Sequence, residues 1–277
     1  MASELWTAGL HAQLLTGLAR VGDYQLARLG SLDPASLREK SGASDLVTAV
    51  DTECEAQLAE LLTGLLPAAG LLGEEGLRRA AAGELVWVVD PLDGTTNYAH
   101  EHPFFCISVA LVEGRRPLLG AVHAPRLGET FHGWGGRAWL GERLLAVSAR
   151  RQPREGMFAT GFADRRHGEG GDNLGNLERV LRASRGLRRA GSAALDLAYT
   201  AAGRLDGFWE MGLNPWDVGA GIYLVRAAGG RISDFHGRDD ALAGDHIVAS
   251  NGHLHDWLRG QLALAPGLDR APAPLLG

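Results

Sequence analysis

An apolar run, Leu85-Val86-Trp87-Val88-Val89, passes without transition into Asp90-Pro91-Leu92-Asp93-Gly94-Thr95-Thr96-Asn97, and this change of character constrains the fold more than any other stretch. β-Branched and aromatic residues in so short a run suit a buried strand, and Pro91 and Gly94 stop it within a few positions. Asp90 and Asp93 therefore stand at the carboxyl end of a strand. Two carboxylates that close raise each other's pKa unless cations neutralise them, and hard oxygen ligands suit Mg²⁺ or Mn²⁺. Gly94 lets a ligand approach the backbone closely. A helix opening at Thr95 would leave the N–H groups of residues 94–96 facing an anion such as phosphate.

Two other readings of this turn exist. Asp often does no more than cap a turn before a helix. In the haloacid-dehalogenase type of phosphatase, an Asp-x-Asp-Gly-Thr motif also ends a strand and supplies an aspartyl nucleophile. The spacing rejects that chemistry, because the nucleophile's position, two before the second Asp, holds Pro91. A nucleophilic water is the better reading.

With 277 residues, 45% of them hydrophobic and 22% charged, the chain can bury a sizeable core as one large or two modest domains. A net charge of −6 leaves no electrostatic footprint for nucleic acid or an anionic membrane, so a bound phosphate needs cations. Cys54 and Cys106 fall in apolar patterns without a Cys-x-x-Cys partner, which indicates buried free thiols. Residues 1–30 lack a basic start followed by a continuous apolar stretch, and no segment approaches the ~20 apolar residues of a membrane span. A soluble, cytoplasmic protein is expected.

Leucines at near-helical spacing from Leu5 to Val21 predict an amphipathic helix reaching about Leu29, and a second helix follows from Thr52, with Thr52 and Glu55 as a capping box, ending before Pro67. After the aspartate turn, residues 104–112, 118–122 and 129–132 read as strands of an antiparallel meander. The second half alternates: helix 173–183, strand 186–189, a helix from Ala193, strand 206–211, and helix 215–228 with Asn214 as N-cap and Pro215 first. Strands at 231–235 and 246–249 and a helix to Leu264 follow. A boundary near residue 147 divides lobe 1–147 from lobe 148–265, and the Pro-rich residues 266–277 read as a frayed tail.

Three further acids stand out. Glu74 lies in Gly73-Glu74-Glu75-Gly76, Asp51 before the second helix, and Asp217 at the third position of helix 215–228. Each has an ordinary explanation, as a solvated loop residue or as an acid favoured at a helix N-terminus. Gly219 and Gly221 shift the balance, because each costs about 1 kcal/mol against Ala in a helix interior, so something must approach closely there.

Gly73-Glu74-Glu75, Asp90 to Asn97, and Trp216-Asp217-Val218-Gly219-Ala220-Gly221 with Ala227-Ala228-Gly229-Gly230 resemble the two signatures and the intervening acid of the inositol monophosphatase family. Residues 45–51, Gly191-Ser192-Ala193-Ala194-Leu195-Asp196 and Glu210 resemble its secondary landmarks, in the family's order. The resemblance spans nearly the whole chain and implies a layered α-β-α-β-α sandwich of the sugar-phosphatase type. It implies Glu74, Asp90, the Leu92 carbonyl, Asp93 and Asp217 as ligands of two Mg²⁺ bridged by Asp90, with a third, weaker Mg²⁺ near Glu74; Mn²⁺ is an alternative metal. It further implies phosphate held by the backbone of Gly94 and Thr95, and an attacking water oriented and deprotonated by Asp51 and Thr95. Glu210 and Gly191, Ser192 and Ala193 would contact polyol hydroxyls. A homodimer and lithium sensitivity are family expectations too.

This chemistry agrees with the residues: two metals lower a water's pKa and neutralise a leaving alkoxide without a phosphoenzyme. The expected activity is hydrolysis of inositol monophosphate or a related polyol or sugar phosphate. Histidinol phosphate, fructose-1,6-bisphosphate and 3′-phosphonucleotides are alternative substrates on the same metal site. A different class of function is a binding partner of the transcription machinery, a role of some bacterial relatives, and Asn214-Pro215 places the chain on the bacterial side. His100, His102, His253 and His255 show no metal-ligand spacing and read as surface or packing residues. Arg188 and Arg189 either face an anionic substrate or rim the lobe. Trp209 and Trp216 read as core, and Ser192 most simply as an N-cap.

Overall fold

The N-terminal leucine periodicity folds as helix α1 (Ala8–Arg28), with Leu14, Leu18 and Val21 buried and Thr7 Oγ1 accepting from Leu10 N at 3.2 Å as the cap. The computed structural model describes residues 6–31, 38–39, 46–47, 49–162, 173–239, 242, 246–264 and 275. Asp45 and Thr48 of the landmark at 45–51, and the tail at 266–277 apart from Leu275, lie outside the described residues. Strands β1 (Arg38–Glu39) and β2 (Leu46–Val47) form an antiparallel pair ahead of helix α2 (Ala49–Leu65). Because α2 starts at Ala49, Thr52 and Glu55 lie inside it and form no capping box; Glu55 instead receives the N–H groups of Glu75 and Leu77, at 2.8 and 3.1 Å.

The central layer is an 8-stranded sheet built from β3 (Gly70–Gly73), β4 (Arg78–Arg79), β5 (Leu85–Asp93), β6 (Cys106–Glu113), β7 (Arg116–Ala124), β8 (Glu129–Trp134), β9 (Arg137–Leu140) and β10 (Arg143–Leu144), with helix α3 (Thr95–Ala99) after β5. Strands β5 to β10 form the antiparallel meander that the turn signals predict, two strands longer than read from sequence. Among the described residues of this sheet only β3 and β5 run parallel, pairing Gly70↔Val86 through Gly73↔Val89. The alternation of β5 side chains sends Trp87 and Val89 to the α1 and α2 face, and Val86 and Val88 to the other.

The second half supplies a 5-stranded sheet from β11 (Met157–Thr160), β12 (Gly186–Arg188), β13 (Gly207–Met211), β14 (Arg231–Ser233) and β15 (His246–Ser250), in the order β12-β11-β13-β15-β14. Between the two sheets lie α5 (Ala193–Ala201) and α6 (Pro215–Ala227), whose Leu197, Ala198, Ala220 and Leu224 share a core with Ala110 and Val122 on one side and Phe208 and Ala249 on the other. Helices α4 (Leu174–Ala183) and α7 (His255–Gly260) cover the outer face, with Val180 and Leu258 against Phe158 and Trp209. The layers run α-β-α-β-α. The change of sheet falls between β10 and β11, while α5 and α6 belong to both halves by packing. Among the described residues no helix is long and apolar enough to cross a membrane.

The glycines of α6 answer to this packing. A Cβ on Gly221 would collide with the Leu197 side chain of α5, and one on Gly219 would lie 3.2 Å from Ala110 Cβ of β6. On the sheet side, a Cβ on Gly120 would meet Ala220 O at 2.6 Å. What approaches Gly219 and Gly221 is therefore protein rather than a ligand, and α6 is drawn down onto the strands that carry the acids.

Candidate active site

Pro91 has no N–H to give the ladder, and the pairing of β5 with β6 shifts there: Asp90 faces Ser108 while Asp93 faces Cys106, so three steps on one strand match two on the other. The irregularity carries the strand through Pro91 to Asp93. Asp90 is buried and its Oδ1 accepts from Leu92 N at 2.9 Å. Asp93 Oδ2 accepts from Ser192 Oγ at 2.6 Å and from Ala194 N at 2.7 Å. Gly94 then adopts φ 95°, where a Cβ would also press on Phe104 O at 3.0 Å and Gly191 O at 3.3 Å. The turn is supported from behind by Gln25, whose side-chain amide donates to Pro91 O at 2.8 Å while its backbone carbonyl accepts from Tyr98 Oη at 2.7 Å.

Parallel pairing with β3 brings in the next acid. Gly73 lies opposite Val89, and Glu74 N donates to Val89 O at 3.2 Å, so Glu74 emerges beside Asp90. Glu55 holds this loop from α2 by the two N–H groups already described, and Gly73 is the residue that makes room, since a Cβ there would overlap the Glu55 carboxylate. In the sequence Glu55 reads only as the partner of Thr52 in a capping box; the glycine opposite it is the one signal of a close approach.

Asp217 comes from the first turn of α6, where its Oδ2 accepts from Asn214 N at 2.7 Å, and the helix start is pinned to β6 by Ser108 Oγ donating to Trp216 O at 3.1 Å. The N-cap and the acid thus occur as read from sequence, and the acid also reaches the cluster. Burial, followed by the charges of Glu74, Asp93 and Asp217, holds the Asp90 carboxyl well above the usual carboxylate range. Burial and Glu74 do the same for Asp217 against the opposing Asn214 N–H. Asp93 is pushed up to about 6 by burial, against the lowering effect of its bonds to Ser192 and Ala194. Glu74 also shares a side-chain hydrogen bond with Asp90.

Four carboxyl groups that repel one another, Asp90 buried and Glu74, Asp93 and Asp217 half-buried, form a donor set suited to a hard divalent cation. Among the described residues no three His, Cys, Asp or Glu side chains already stand in a closed coordination shell. The fit rests on donor chemistry and mutual repulsion.

Asp51 is fully buried in the first turn of α2, and Thr95 Oγ1 lies 2.9 Å from Asp51 Oδ1 and 3.0 Å from Leu92 O. Both acceptors compete for one hydroxyl proton, which leaves the Thr95 oxygen free to accept. Glu210 of β13 is buried, stands against Gly161, and its charge raises Asp217. The segment Gly191, Ser192 and Ala193 is tied to the turn: Asn97 Nδ2 donates to Ala190 O at 2.9 Å and to Phe104 O at 2.6 Å, while Ser192 caps α5 by accepting from Leu195 N at 3.3 Å. Asp196, one turn along α5, is buried and raised well above its ordinary range by burial and by Asp93, opposed by Arg189. Arg188 and Arg189 are themselves exposed.

Residues set aside at the outset stay outside this cluster. His100, His102 and His253 are exposed. His255 is buried between Ser233 Oγ at 2.9 Å and Ser250 Oγ at 3.0 Å. Trp209 is core, its indole donating to Asn173 Oδ1 at 2.8 Å, and Cys54 and Cys106 are buried free thiols.

Two sheets enclosing a helix pair, with acids delivered to one strand-end turn from β3, β5 and α6, define a phosphatase, a phosphoric monoester hydrolase. The inositol monophosphatase family model matches residues 13–264, and the chain belongs to that family, which is generally metal-dependent. It is 42% identical over 233 residues to an inositol-1-monophosphatase of Caulobacter vibrioides, covering 82% of this chain and 90% of that protein. It is also 42% identical over 238 residues to a Pseudomonas aeruginosa protein named Nus factor SuhB, covering 83% and 87%. Among solved structures, the extragenic suppressor protein suhB from Bartonella henselae superposes with a TM-score of 0.85 at 35% identity, covering 92% of this chain and 98% of that one.

Proposed function

We infer that this phosphatase hydrolyses inositol monophosphate or a related polyol or sugar phosphate by direct attack of water, with no phosphoenzyme. The observation that carries the reading is the 2.9 Å bond from Thr95 to Asp51 beside the cluster of acids. With its proton engaged by Asp51 or the Leu92 carbonyl, the Thr95 oxygen accepts from a water and orients it, and Asp51 is the base that ultimately receives the proton. Glu74, Asp90, the Leu92 carbonyl, Asp93 and Asp217 would hold two or three Mg²⁺, with Mn²⁺ as the substitute. Bound there, the metal supplies a lowered water pKa and neutralises charge on the leaving oxygen.

The backbone of Gly94 and Thr95 would receive the phosphate. Glu210 would accept from hydroxyls of the leaving group, which favours a polyol; a carboxylate there also suits the ammonium of histidinol phosphate. Gly191, Ser192 and Ala193 bound the same side of the site. Lithium inhibition, a homodimer and a cytoplasmic location complete this reading.

Phosphate release from inositol-1-phosphate, fructose-1,6-bisphosphate, histidinol phosphate and a 3′-phosphonucleotide, with Mg²⁺ present or chelated and with Li⁺ added, tests it. Fastest release from inositol-1-phosphate that vanishes with the metal supports the proposal, and turnover that survives chelation overturns it. The Nus factor name carried by a relative at 42% identity favours a second role, binding to the transcription machinery. Asp217→Asn separates the two, since it removes hydrolysis and leaves a purely structural partnership intact.

A further inference from the structure

Resting on that reading of the metal site, we propose that Ser192 is a positioning residue that presents Asp93 to the cation through a single oxygen. The hydroxyl of Ser192 has one proton. Leu195 N, 3.3 Å away, can only donate to it, so the proton is available to Asp93 Oδ2 at 2.6 Å. The same Oδ2 also receives Ala194 N at 2.7 Å. Ser192 Oγ and Ala194 N, both at the start of the nine-residue α5, thus converge on one oxygen of Asp93, with Ala193 N adding to the backbone donors around the carboxylate, and on this proposal Oδ1 is the oxygen left to the cation.

The surroundings leave Asp93 little freedom to exchange its oxygens. Cys106 Sγ lies 3.9 Å from Oδ2 and 3.6 Å from Ser192 Oγ, which closes the β6 side with a buried thiol. Asn97 holds the preceding Ala190 carbonyl at 2.9 Å, so the segment that carries Ser192 cannot drift from the turn that carries Asp93. Ser192 thus joins two jobs usually separate: it caps α5, and it orients an acid 99 residues earlier in the chain. A carboxylate held in this way meets a metal already oriented, and loss of such a supporting hydrogen bond typically weakens metal affinity 10–100-fold.

The two jobs can be separated by substitution. Ser192→Gly deletes the hydroxyl but keeps a residue that serves as an N-cap at a cost of only a few tenths of a kcal/mol, whereas Ser192→Thr restores both functions. Ser192→Ala removes both. Mg²⁺ binding to the metal-stripped full chain, measured by isothermal titration calorimetry alongside the metal-free melting temperature, reads them out. The expected result is an affinity about tenfold weaker or worse in S192G and S192A, parental affinity in S192T, and a clear drop in melting temperature confined to S192A. Parental affinity in S192G overturns the role of Ser192. An absence of Mg²⁺ binding in the parent chain itself overturns the metal-site reading on which the proposal stands.

Discussion

Thr95 Oγ1 and Asp51 Oδ1 lie 2.9 Å apart although 44 residues separate them in the chain, one opening α3 and the other in the first turn of α2. The pair joins the helix layer to the end of the central sheet at the place where the acids gather.

Removing either partner should slow turnover without emptying the site. Thr95→Ala and Asp51→Asn are expected to lower kcat by about 10²–10⁴-fold, the usual range for a positioned acid–base group, with KM changed far less. Steady-state kinetics at saturating Mg²⁺ checks this, and a kcat within twofold of the parent would remove the pair from the mechanism.

The clustered acids make the metal-free chain sensitive to pH. Asp93 has its folded-state pKa raised from 3.8 to about 6, so the folded state binds the proton more tightly than the unfolded one. The contribution of this group to stability should therefore be fully present below about pH 4, be lost as pH rises to about 6, and level off above it, a change on the order of a few kcal/mol. Urea unfolding in EDTA across this range measures the slope. Saturating Mg²⁺ should reverse the loss at neutral pH, and Asp217→Asn should raise the metal-free melting temperature by taking one like charge out of the cluster.

A second pH effect of opposite sign belongs to His11. Gly141 O can only accept from His132 Nε2 at 2.9 Å, so His132 Nδ1 is bare and takes a proton from His11 Nε2 at 2.9 Å, while His11 Nδ1 accepts from the Trp6 indole at 3.3 Å. Neither imidazole can gain a proton without breaking this chain, and burial together with His132 lowers the His11 pKa to about 4. The unfolded state therefore binds more protons between pH 6.5 and 4, and α1 should lose support on the order of 2 kcal/mol as pH falls through that window. His11→Phe should flatten it. Hydrogen exchange of α1 amides at pH 5 and 7 distinguishes local release from global unfolding.

Gly221→Ala tests what the small residues of α6 are for. Helix propensity alone predicts a gain of about 1 kcal/mol. Contact with Leu197 predicts the reverse, a loss of about 1–3 kcal/mol from overpacking between α5 and α6. A lower melting temperature that recovers in Gly221→Ala/Leu197→Ala assigns the glycine to helix packing.

Much of the layered fold was legible because its signals are local. Heptad-like leucines marked α1, Asn214-Pro215 marked α6, and the turn residues between β6, β7 and β8 marked an antiparallel meander. Strands β1 to β4 and β9 to β11 escaped, since two to four residues carry no resolvable alternation. The start of α2 was misplaced by three residues because Thr52 and Glu55 match a capping pattern that only tertiary contact cancels, when Glu55 turns to the loop after β3.

The sequence by itself determined that acids stand at a strand end beside a glycine turn, that Asn214 caps a helix carrying Asp217, and that both cysteines fall in apolar stretches of the chain. These follow from neighbours along the chain. Only the tertiary structure decided that Glu74 emerges next to Asp90, because that depends on parallel pairing of β3 with β5, and that Ser192 faces Asp93, because that depends on α5 lying between two sheets. Charge repulsion and a one-proton hydroxyl acquire meaning only at distances that the chain order does not contain.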